Sequence, residues 1–334
     1  MASCSCFCST TLIAEQIAHL YEAPDFDRWM YPFNFSAGER ETAVTFSSVG
    51  GGYETFDDRD GQILLGFITQ TEVPTNHPLN QYSVTSISLQ ITLSNSGNLY
   101  DSTIDSWESY AIDSGIADSD AGRPMELFGA AFRGGYDGWT FGEDGAFPMG
   151  AIRRERNAYP IEFDEDGSFR DVSNSVLDEY TPIPFAIGQV DGIEEGDVMP
   201  SETVLTFHVD VSDPDIQCYF RKSFQDGLIN LCVTSLHEAQ QPGFRGLIQP
   251  NFHMKESWAV QFELVNAAQL IVEVEVDEQT SSPEDLDGDG LVGISDVLIV
   301  LSEWGQCSCC PSDLNGDGVV NVSDLLSLIA AWDV

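Results

Sequence analysis

Two twelve-residue stretches near the end of the sequence carry oxygen-bearing side chains at matching positions. They are "DLDGDGLVGISD", starting at residue 285, and "DLNGDGVVNVSD", starting at residue 313. In both, Asp or Asn stands at positions 1, 3, 5 and 12, and glycine stands at position 6. Calcium loops use this order of oxygen ligands, with the carbonyl of position 7 as a further ligand. Because carboxylates at this spacing repel one another without a cation, we expect one Ca2+ ion in each loop.

The first loop lacks a side-chain ligand at one position. Position 9 is Asn321 in the second loop but Gly293 in the first, where a water molecule is expected to serve instead. The full set of expected protein ligands is Asp285, Asp287, Asp289, Leu291 (carbonyl), Asp296, Asp313, Asn315, Asp317, Val319 (carbonyl), Asn321 and Asp324. The alternative is a pair of Asp/Gly turns without metal, which leaves the repulsion unexplained.

Each loop continues into an apolar segment, "SDVLIVLSEW" in the first case and "SDLLSLIAAW" in the second. Apolar residues recur at helical spacing in both segments. Two loop–helix halves predict a small α-helical module over residues 285–334, joined to the rest of the chain by a polar linker at 277–284. The repeated loops and helices resemble a type I dockerin, and the resemblance covers about residues 283–334.

The dockerin resemblance implies a paired EF-hand-like fold that depends on calcium and binds a protein partner. That partner would be a cohesin-like scaffold or other subunits of an assembly. Loop positions 10 and 11 help to recognise the partner in dockerins, and here they are Ile294, Ser295, Val322 and Ser323. The connection between the halves departs from the family, since it is short and carries "CSCC" at 307–310. A structural clip within a larger assembly is therefore an alternative to cohesin binding.

Apolar residues alternate with a period of two from about residue 40 to residue 276. The pattern is clear in "SISLQITLS", "TVLTFHVDV" and "LIVEVEV", and "ILLGF", "INLCV" and "WAVQFEL" are read as further strands. Such alternation is typical of half-buried antiparallel strands. The main domain is therefore predicted to be mainly β, an antiparallel, jelly-roll-like β-sandwich. The order of "DGLINLCVTS", "FHMKES" and "LIVEVEV" weakly resembles the DNRLRE domains, which implies a secreted, non-catalytic module.

Two helices are predicted outside the C-terminal module. One interrupts the sandwich at "SDPDIQCYFRKSFQDG", where Ser212 can cap the helix, Pro214 suits its first turn and Gly227 follows its last. The other is a short helix over residues 10–21, because the apolar residues of "TTLIAEQIAHLY" have helical spacing. It would lie in a cysteine-rich N-terminal extension spanning residues 1–39.

The charge balance restricts the partners of the protein. Thirteen Lys and Arg residues face 55 Asp and Glu residues, which gives a net charge of −42. Such a field repels nucleic acids and anionic membranes and attracts cations. No apolar run approaches the length of a membrane span. We expect an extracellular or cell-surface protein, although the N-terminus lacks a clear signal peptide because it has no basic region.

The cysteine content favours disulfides over a metal site. The eight cysteines are Cys4, Cys6, Cys8, Cys218, Cys232, Cys307, Cys309 and Cys310. An even number in an acidic, turn-rich chain favours disulfides and an oxidising compartment. Zinc fits less well, because the C-x-C-x-C at the N-terminus is not the C-x2-C spacing of common zinc sites, and no histidine lies close to either cluster. Cys218 on the predicted helix and Cys232 on the next strand form either a bridge or two buried thiols.

One glycine-rich segment, residues 132–156, combines aromatic and cationic residues. Its aromatic residues could stack on sugar rings and are Tyr136, Trp139 and Phe141. Its arginines could contact an acidic neighbouring subunit and are Arg133, Arg153, Arg154 and Arg156. The plain alternative is an ordered loop whose rings cap the sandwich and whose arginines pair with local carboxylates.

Catalytic patterns are weak in this sequence. None of the five histidines lies in a nucleophile elbow or a metalloprotease motif. Acidic clusters at 57–61, 117–122 and 164–167 are either weak additional calcium sites or solvated turns. We expect a non-catalytic, calcium-stabilised structural or interaction protein, such as a self-assembling filament or layer subunit. The alternatives are a carbohydrate-binding module carried on a dockerin and a polysaccharide-active enzyme.

Overall fold

A computed structural model describes residues 14–32, 34, 36–49, 56–75, 77–111, 114–142, 154–164, 167–239, 248–277, 282–307, 309–315 and 318–333. Its strands are β1 Glu15–Tyr21, β2 Phe26–Met30, β3 Thr42–Val44, β4 Phe46–Ser47, β5 Arg59–Ile68, β6 Tyr82–Thr92, β7 Met125–Phe132, β8 Ala158–Phe163, β9 Phe169–Asp171, β10 Ala186–Gln189, β11 Val204–His208, β12 Leu228–Ser235, β13 Asn251–His253, β14 Gln269–Val276, β15 Gly305–Gln306 and β16 Val319–Val320. Its α-helices are α1 Trp107–Tyr110, α2 Gly138–Phe141, α3 Pro214–Asp226, α4 Trp258–Gln261, α5 Ile294–Ser302 and α6 Val322–Ala330.

Twelve strands form one curled antiparallel sheet. Its main path runs β1-β14-β6-β11-β10-β7-β12-β5-β2, with β4 beside β5 and with β8 and β9 beyond β7. Strand β10 joins the two halves, because Gly188 and Gln189 pair with β11 while Ala186 and Ile187 pair with β7. The sheet therefore bends over itself and encloses an apolar core. The prediction of a mainly β, antiparallel fold is confirmed.

The core follows the alternation that the sequence shows. On β14, Leu270, Val272, Val274 and Val276 are fully buried, and the residues between them are half-buried or exposed. Strand β11 buries Leu205 and Phe207 in the same way. Apolar side chains from both halves of the curled sheet meet in one large cluster, which accounts for the stability of the fold.

The helix predicted over residues 10–21 is wrong within the described residues. Residues 15–21 form the edge strand β1, which pairs antiparallel with β14 in an unbroken register from Glu15↔Val276 to Tyr21↔Leu270. Ile17, His19 and Tyr21 are the less exposed residues, so burial here alternates with a period of two. Together with β2, this strand makes much of the predicted N-terminal extension part of the sheet.

The helix predicted around Pro214 is confirmed as α3. Its cap is Asp213 rather than Ser212, because the Asp213 carboxylate accepts the amides of Asp215 and Ile216. Gly227 ends the helix in the left-handed conformation at φ 80°, which favours glycine. Ile216, Cys218, Phe220 and Phe224 are its buried residues.

The strand predicted at "WAVQFEL" is wrong. Ser257 caps the short helix α4 there, and its side chain accepts the Ala259 amide. The residues that follow turn outward, with Phe262 72% and Leu264 64% exposed. The alternation in this segment arises from a helical turn and a loop rather than from a pleated strand.

Of the two alternatives for Cys218 and Cys232, the bridge is wrong, and the buried free thiol holds only for Cys232. Cys218 is bonded to Cys309, and Cys307 is bonded to Cys310. Cys232 is a buried free thiol that packs with Met30, Leu64 and Phe141 in a second apolar cluster. The three N-terminal cysteines, Cys4, Cys6 and Cys8, lie outside the described residues.

Candidate metal centre and its surroundings

The first loop gathers the carboxylates expected to bind calcium. One oxygen from each of Asp285, Asp287 and Asp289 lies within 4.8 Å of the others. Asp285 is 5% exposed, and its Oδ2 accepts the Gly290 amide at 2.9 Å. Its Oδ1 is buried and has no hydrogen-bond donor. Since a buried carboxylate oxygen without a partner is costly, this donor set fits a hard cation.

Asp296, at position 12, closes the first loop. It is fully buried, its Oδ1 accepts the amides of Leu286 (2.7 Å) and Asp287 (3.1 Å), and its Oδ2 accepts the Gly293 amide (2.7 Å). Burial opposes ionisation of this carboxyl, but the amides of Gly293, Asp287 and Leu286 outweigh it and lower its pKa. The last ligand position is therefore held as a carboxylate by the backbone of its own loop.

The second loop repeats this arrangement. The carboxylate of Asp313 accepts the Gly318 amide at 2.8 Å. Asp324 is fully buried and accepts the amides of Asn315 (3.2 Å) and Asn321 (2.8 Å). Both position-6 glycines have a left-handed backbone, with φ 90° at Gly290 and 82° at Gly318, which is the sharp turn a calcium loop needs. Asp317 lies outside the described residues.

The two halves of the module interlock. Val320 of the second loop pairs with Gly305, which follows the first helix. Correspondingly, Val292 of the first loop pairs with Asp333, which follows the second helix: its amide donates to Asp333 Oδ2 at 2.8 Å, and its carbonyl accepts the Asp333 amide at 3.1 Å. The module core is equally symmetric, with equivalent residues 28 apart, and its buried members are Val292, Val300, Val320 and Leu328.

The four residues expected to contact a partner are all exposed. Ile294 is 71% and Val322 57% exposed, and Ser295 and Ser323 beside them are also exposed. The structure adds four further apolar residues to this exposed surface. They continue the same faces of α5 and α6 and are Leu298, Leu301, Leu326 and Ile329, each at least half exposed.

We call these faces the apolar rows: Ile294, Leu298 and Leu301 on α5, and Val322, Leu326 and Ile329 on α6. Their spacing of four and three residues places each row on one side of its helix. The sequence does carry a signal for them. Helix α5, "ISDVLIVLS", is apolar on nearly all sides, which is more apolar surface than a two-helix module can bury.

The module is covalently tied to the sandwich. Among the described residues between α5 and β16 there is no helix, and the Cys307–Cys310 disulfide closes the connection instead. The adjacent Cys309 reaches Cys218 on α3. One turn further along α3, burial lowers the pKa of Lys222, and the charge of Asp313 acts in the opposite direction. The second aspartate-rich loop therefore lies against the sandwich.

An apolar cleft lies at this junction. It has a volume of about 530 Å³, and its walls include Phe132, Phe169 and Tyr219 from the sandwich and Gly318 from the module. Phe169 is 55% exposed. The module and the sandwich thus face each other across an apolar cleft, next to the disulfide that joins them.

The aromatic residues expected to stack on sugars do not form a shared surface. Phe141 is fully buried, and Tyr136 packs edge-on against it at a centroid distance of 5.7 Å. Trp139 is 41% exposed, and its indole N–H donates to Asp226 at 2.8 Å. The stacking role predicted for Phe141 is wrong, because its ring belongs to the core.

The arginines of the same segment satisfy local carboxylates. Arg156 is 1% exposed and is ion-paired with Asp57 and Asp60, so its predicted contact with a partner is wrong. Arg133 pairs with Asp171, and the more exposed Arg154 pairs with Asp178. Arg153 lies outside the described residues. The plain alternative, a loop that caps the sandwich, describes this region.

The acidic cluster at 57–61 is not a solvated turn. Asp57, Asp58 and Asp60 are 3%, 3% and 1% exposed. Arg59, between them, is buried and forms two hydrogen bonds of 2.7 Å with Glu126. Burial raises the pKa of Asp60 to about 6, although Arg156 lowers it, and the charge of Asp57 adds to the rise. The cluster is a buried ionic network.

One histidine makes contacts that sequence reasoning missed. His253 Nδ1 lies 2.9 Å from Ser257 Oγ, and its Nε2 lies 3.2 Å from a carboxylate oxygen of Glu202. This order of groups resembles a hydrolytic triad. However, Ser257 is 1% exposed, and its hydroxyl accepts the Ala259 amide as the cap of α4. These contacts describe a structural cap.

Comparisons with known proteins do not assign a family. No family model matches the chain, and no curated protein matches it. The solved VP1 pentamer of human polyomavirus 6 aligns at 9% identity and a TM-score of 0.24, covering 80% of this chain and 95% of that one. An unassembled VP1 pentamer of Washington University polyomavirus aligns at 7% identity and a TM-score of 0.21, covering 78% and 94%. Likeness at this level carries no argument. Among the described residues, no helix has the length and apolar composition needed to cross a membrane.

Proposed function

We propose that this protein is a non-catalytic, extracellular structural or interaction protein whose dockerin-like C-terminal module binds two Ca2+ ions and joins it to a protein partner. The partner is another copy of the chain within an assembly or a cohesin-like scaffold. The observation that carries this proposal is the pair of apolar rows, repeated 28 residues apart on the module surface.

The apolar rows support a protein partner. Ile294 (71%), Leu298 (61%) and Leu301 (51%) are exposed on α5, while Val300 on the same helix is fully buried. Helix α6 repeats the pattern with Val322, Leu326 and Ile329. Contiguous exposed apolar surface marks interaction sites, and an apolar helix face suits a groove on another protein. This chain has a net charge of −42, and a charge of that size favours a soluble, monomeric protein. Two rows of exposed apolar side chains are unexpected on such a chain unless a partner covers them.

Calcium supports the same function by holding the rows in place. Each row follows directly from a loop whose position-12 carboxylate is buried and bonded to the loop backbone. Without a cation, the carboxylates of each loop repel one another and favour opening. Binding of the ion is thereby coupled to folding of the helix that carries the row. Partner binding should therefore depend on calcium.

The disulfides support an oxidising, extracellular setting. The Cys218–Cys309 bond joins the module to the sandwich, so that force or position is transmitted between them without a flexible linker. This favours the clip within an assembly over a freely tethered plug. A carbohydrate-binding role has less support, since only Trp139 of the three candidate rings is exposed.

Sedimentation velocity in calcium and in EDTA tests the proposal, with binding to a purified cohesin domain as a second arm. We expect calcium-dependent assembly or cohesin binding that is lost in the double variant Leu298→Glu/Leu326→Glu. Ile183→Glu is a matched control, because Ile183 is 69% exposed but lies on the sandwich. A wild-type chain that stays monomeric in calcium and binds no cohesin would overturn the proposal, as would equal behaviour of the two variants.

A further inference from the structure

A second group of carboxylates lies on the sandwich, far along the chain from the calcium loops. One oxygen from each of Asp101, Asp105 and Asp120 lies within 4.8 Å of the others. Ca2+ holds its oxygen ligands at 2.3–2.6 Å, so opposite ligands of one ion are separated by about 4.6–5.2 Å. The three oxygens are therefore close enough together to contact a single ion.

Asp101 provides an independent reason to expect a ligand. It is 3% exposed, and its Oδ1 accepts both the amide and the hydroxyl of Thr103 at 2.9 Å. Its Oδ2 is buried and accepts no hydrogen bond. A carboxylate this deeply buried loses its hydration, and an oxygen left without a donor adds to that cost unless a cation contacts it.

The surrounding hydrogen bonds do not supply the missing donor. The single hydroxyl proton of Thr103 lies between two acceptors, because Thr103 Oγ1 is 2.9 Å from Asp101 and 3.1 Å from Asp120. One proton can serve only one of these carboxylates at a time. The group therefore has more acceptors than donors, which is the condition that a bound cation relieves.

The excess of negative charge in this group also favours a bound cation. Arg123 is the cation of this loop cluster, and its guanidinium contacts Asp105 at 2.9 Å and Asp118 at 2.6 Å. Among the described residues of this loop cluster, the four carboxylates Asp101, Asp105, Asp118 and Asp120 therefore share one guanidinium, which contacts Asp105 and Asp118. Asp105 also accepts a hydrogen bond from the Tyr110 hydroxyl at 2.7 Å. These contacts of Arg123 and Tyr110 are made to Asp105 and Asp118, not to Asp101.

The backbone holds these residues in place before any ion binds. Tyr100, next to Asp101, exchanges hydrogen bonds with Asp197 (2.9 Å) and Gly196 (2.8 Å). Gly122 lies directly over Asp101 with φ 124°, and a Cβ atom at Gly122 would stand 2.9 Å from the Asp101 Cβ. Glycine is required there for both reasons. The loop carrying Asp120 can approach Asp101 only because of it.

We propose that Asp101, Asp105 and Asp120 form a third divalent-cation site, specific for a hard ion such as Ca2+ and located on the sandwich. The donor set is entirely oxygen, which favours calcium over zinc or copper. The site stands apart from the C-terminal module, so its existence does not depend on the proposed function of that module.

Calorimetric titration with Ca2+ tests the site in a variant whose two C-terminal loops have each lost a calcium ligand. In the full chain carrying Asp285→Ala and Asp313→Ala, we expect one remaining ion to bind. Adding Asp101→Asn or Asp120→Asn should weaken its binding by about tenfold or more, because each removes a charged ligand. Asp191→Asn, an exposed aspartate on another loop, should leave the binding unchanged.

Terbium luminescence provides a second readout. The Tyr110 hydroxyl lies 2.7 Å from Asp105, so excitation of tyrosine should sensitise emission from Tb3+ at this site, and Ca2+ should displace it. Asp120 is exposed, so Asp120→Asn carries the test if Asp101→Asn fails to fold. The proposal would be overturned if the Asp285→Ala/Asp313→Ala chain bound no ion at millimolar calcium. Equal binding by the Asp120→Asn and Asp191→Asn variants would also overturn it.

Discussion

Cys218 on α3 is bonded to Cys309, 91 residues later, in the connection between the two aspartate-rich loops. This bond gives the module a second covalent attachment to the sandwich. The polar segment that precedes the module suggests a tether, but the second attachment point fixes the module against α3. The geometry of any assembly therefore depends on both attachments.

Removal of this bond should destabilise the chain strongly. Closing a loop of about 90 residues contributes about 4.6 kcal/mol to the free energy of unfolding in the chain-entropy description. Cys309→Ser should lower the urea midpoint accordingly and expose the connection to protease. The double variant Cys307→Ser/Cys310→Ser opens a loop of only three residues, so its effect should be much smaller. Equal loss of stability in both variants would contradict this account.

Chelation should unfold the module selectively. In EDTA, repulsion among the loop carboxylates should melt α5 and α6, and far-ultraviolet circular dichroism should lose helical signal while the β signal persists. Asp285→Asn should weaken calcium binding to the first loop by about tenfold or more, since it removes a charged ligand. Asp277→Asn, in the segment before the loops, is the control. Unchanged helicity after chelation would rule out the calcium loops.

The stability of the protein should fall under mildly acidic conditions because of His237. Burial lowers its pKa to about 3, and the charge of Arg123 acts in the same direction. The unfolded chain takes up a proton near pH 6.5 that the folded chain does not, so this contribution is fully present above pH 6.5 and is lost as pH falls. Between pH 6.5 and 5 the loss is about 2 kcal/mol.

His237→Gln should lack this part of the pH dependence in urea unfolding at saturating calcium. The difference between the two proteins is the quantity to measure, because Asp60, with a raised pKa of about 6, contributes in the opposite direction in the same range. Parallel pH profiles for the two proteins would show that His237 does not contribute.

Loss of the buried Arg59–Glu126 ion pair should lower the free energy of unfolding far more than loss of the more exposed Arg154–Asp178 pair. Glu126→Gln leaves the guanidinium of Arg59 buried without its charge partner and should cost about 3–5 kcal/mol. Asp178→Asn, which breaks the more exposed pair with Arg154, should cost less than about 1 kcal/mol. Thermal unfolding of both variants in calcium makes the comparison. Similar costs would mean that Arg59 gains another partner or water.

Ser257→Ala should reveal a capping role rather than a catalytic one. Loss of the bond to the Ala259 amide should lower the free energy of unfolding by about 1 kcal/mol. Ser257→Asp, which can still cap, should recover most of that loss. Hydrolysis of a model ester by the wild-type chain that disappears in both variants would instead identify Ser257 as a nucleophile.

Sequence patterns correctly predicted those strands and loops whose structure is determined by residues close together in the sequence. The alternation on β14 and the ligand spacing at Asp285 reflect neighbours in sequence, so a single segment carries the signal. Strand β1 was missed because its apolar spacing suits a helix, and only pairing with β14, some 250 residues away, selects the extended form. That pairing is invisible within the segment itself.

Groups brought together from distant segments were also missed. Arg156 and Asp57 are 99 residues apart in sequence, and an arginine on a glycine-rich loop has the same local appearance whether it is buried or exposed. The pairing of Cys218 likewise depended on which face of α3 meets the module. The unpartnered oxygen of Asp101 depends on three loops, none of which has a distinctive sequence of its own.

The crossed pairing of the module has a consequence for its synthesis. Val292 in the first loop finds its backbone partner only at Asp333, beyond the last helix. A nascent chain that has just emerged through the first loop therefore holds ligands without a scaffold, and it cannot complete the first half before the second has left the ribosome. The two halves of the module should therefore fold together rather than one after the other.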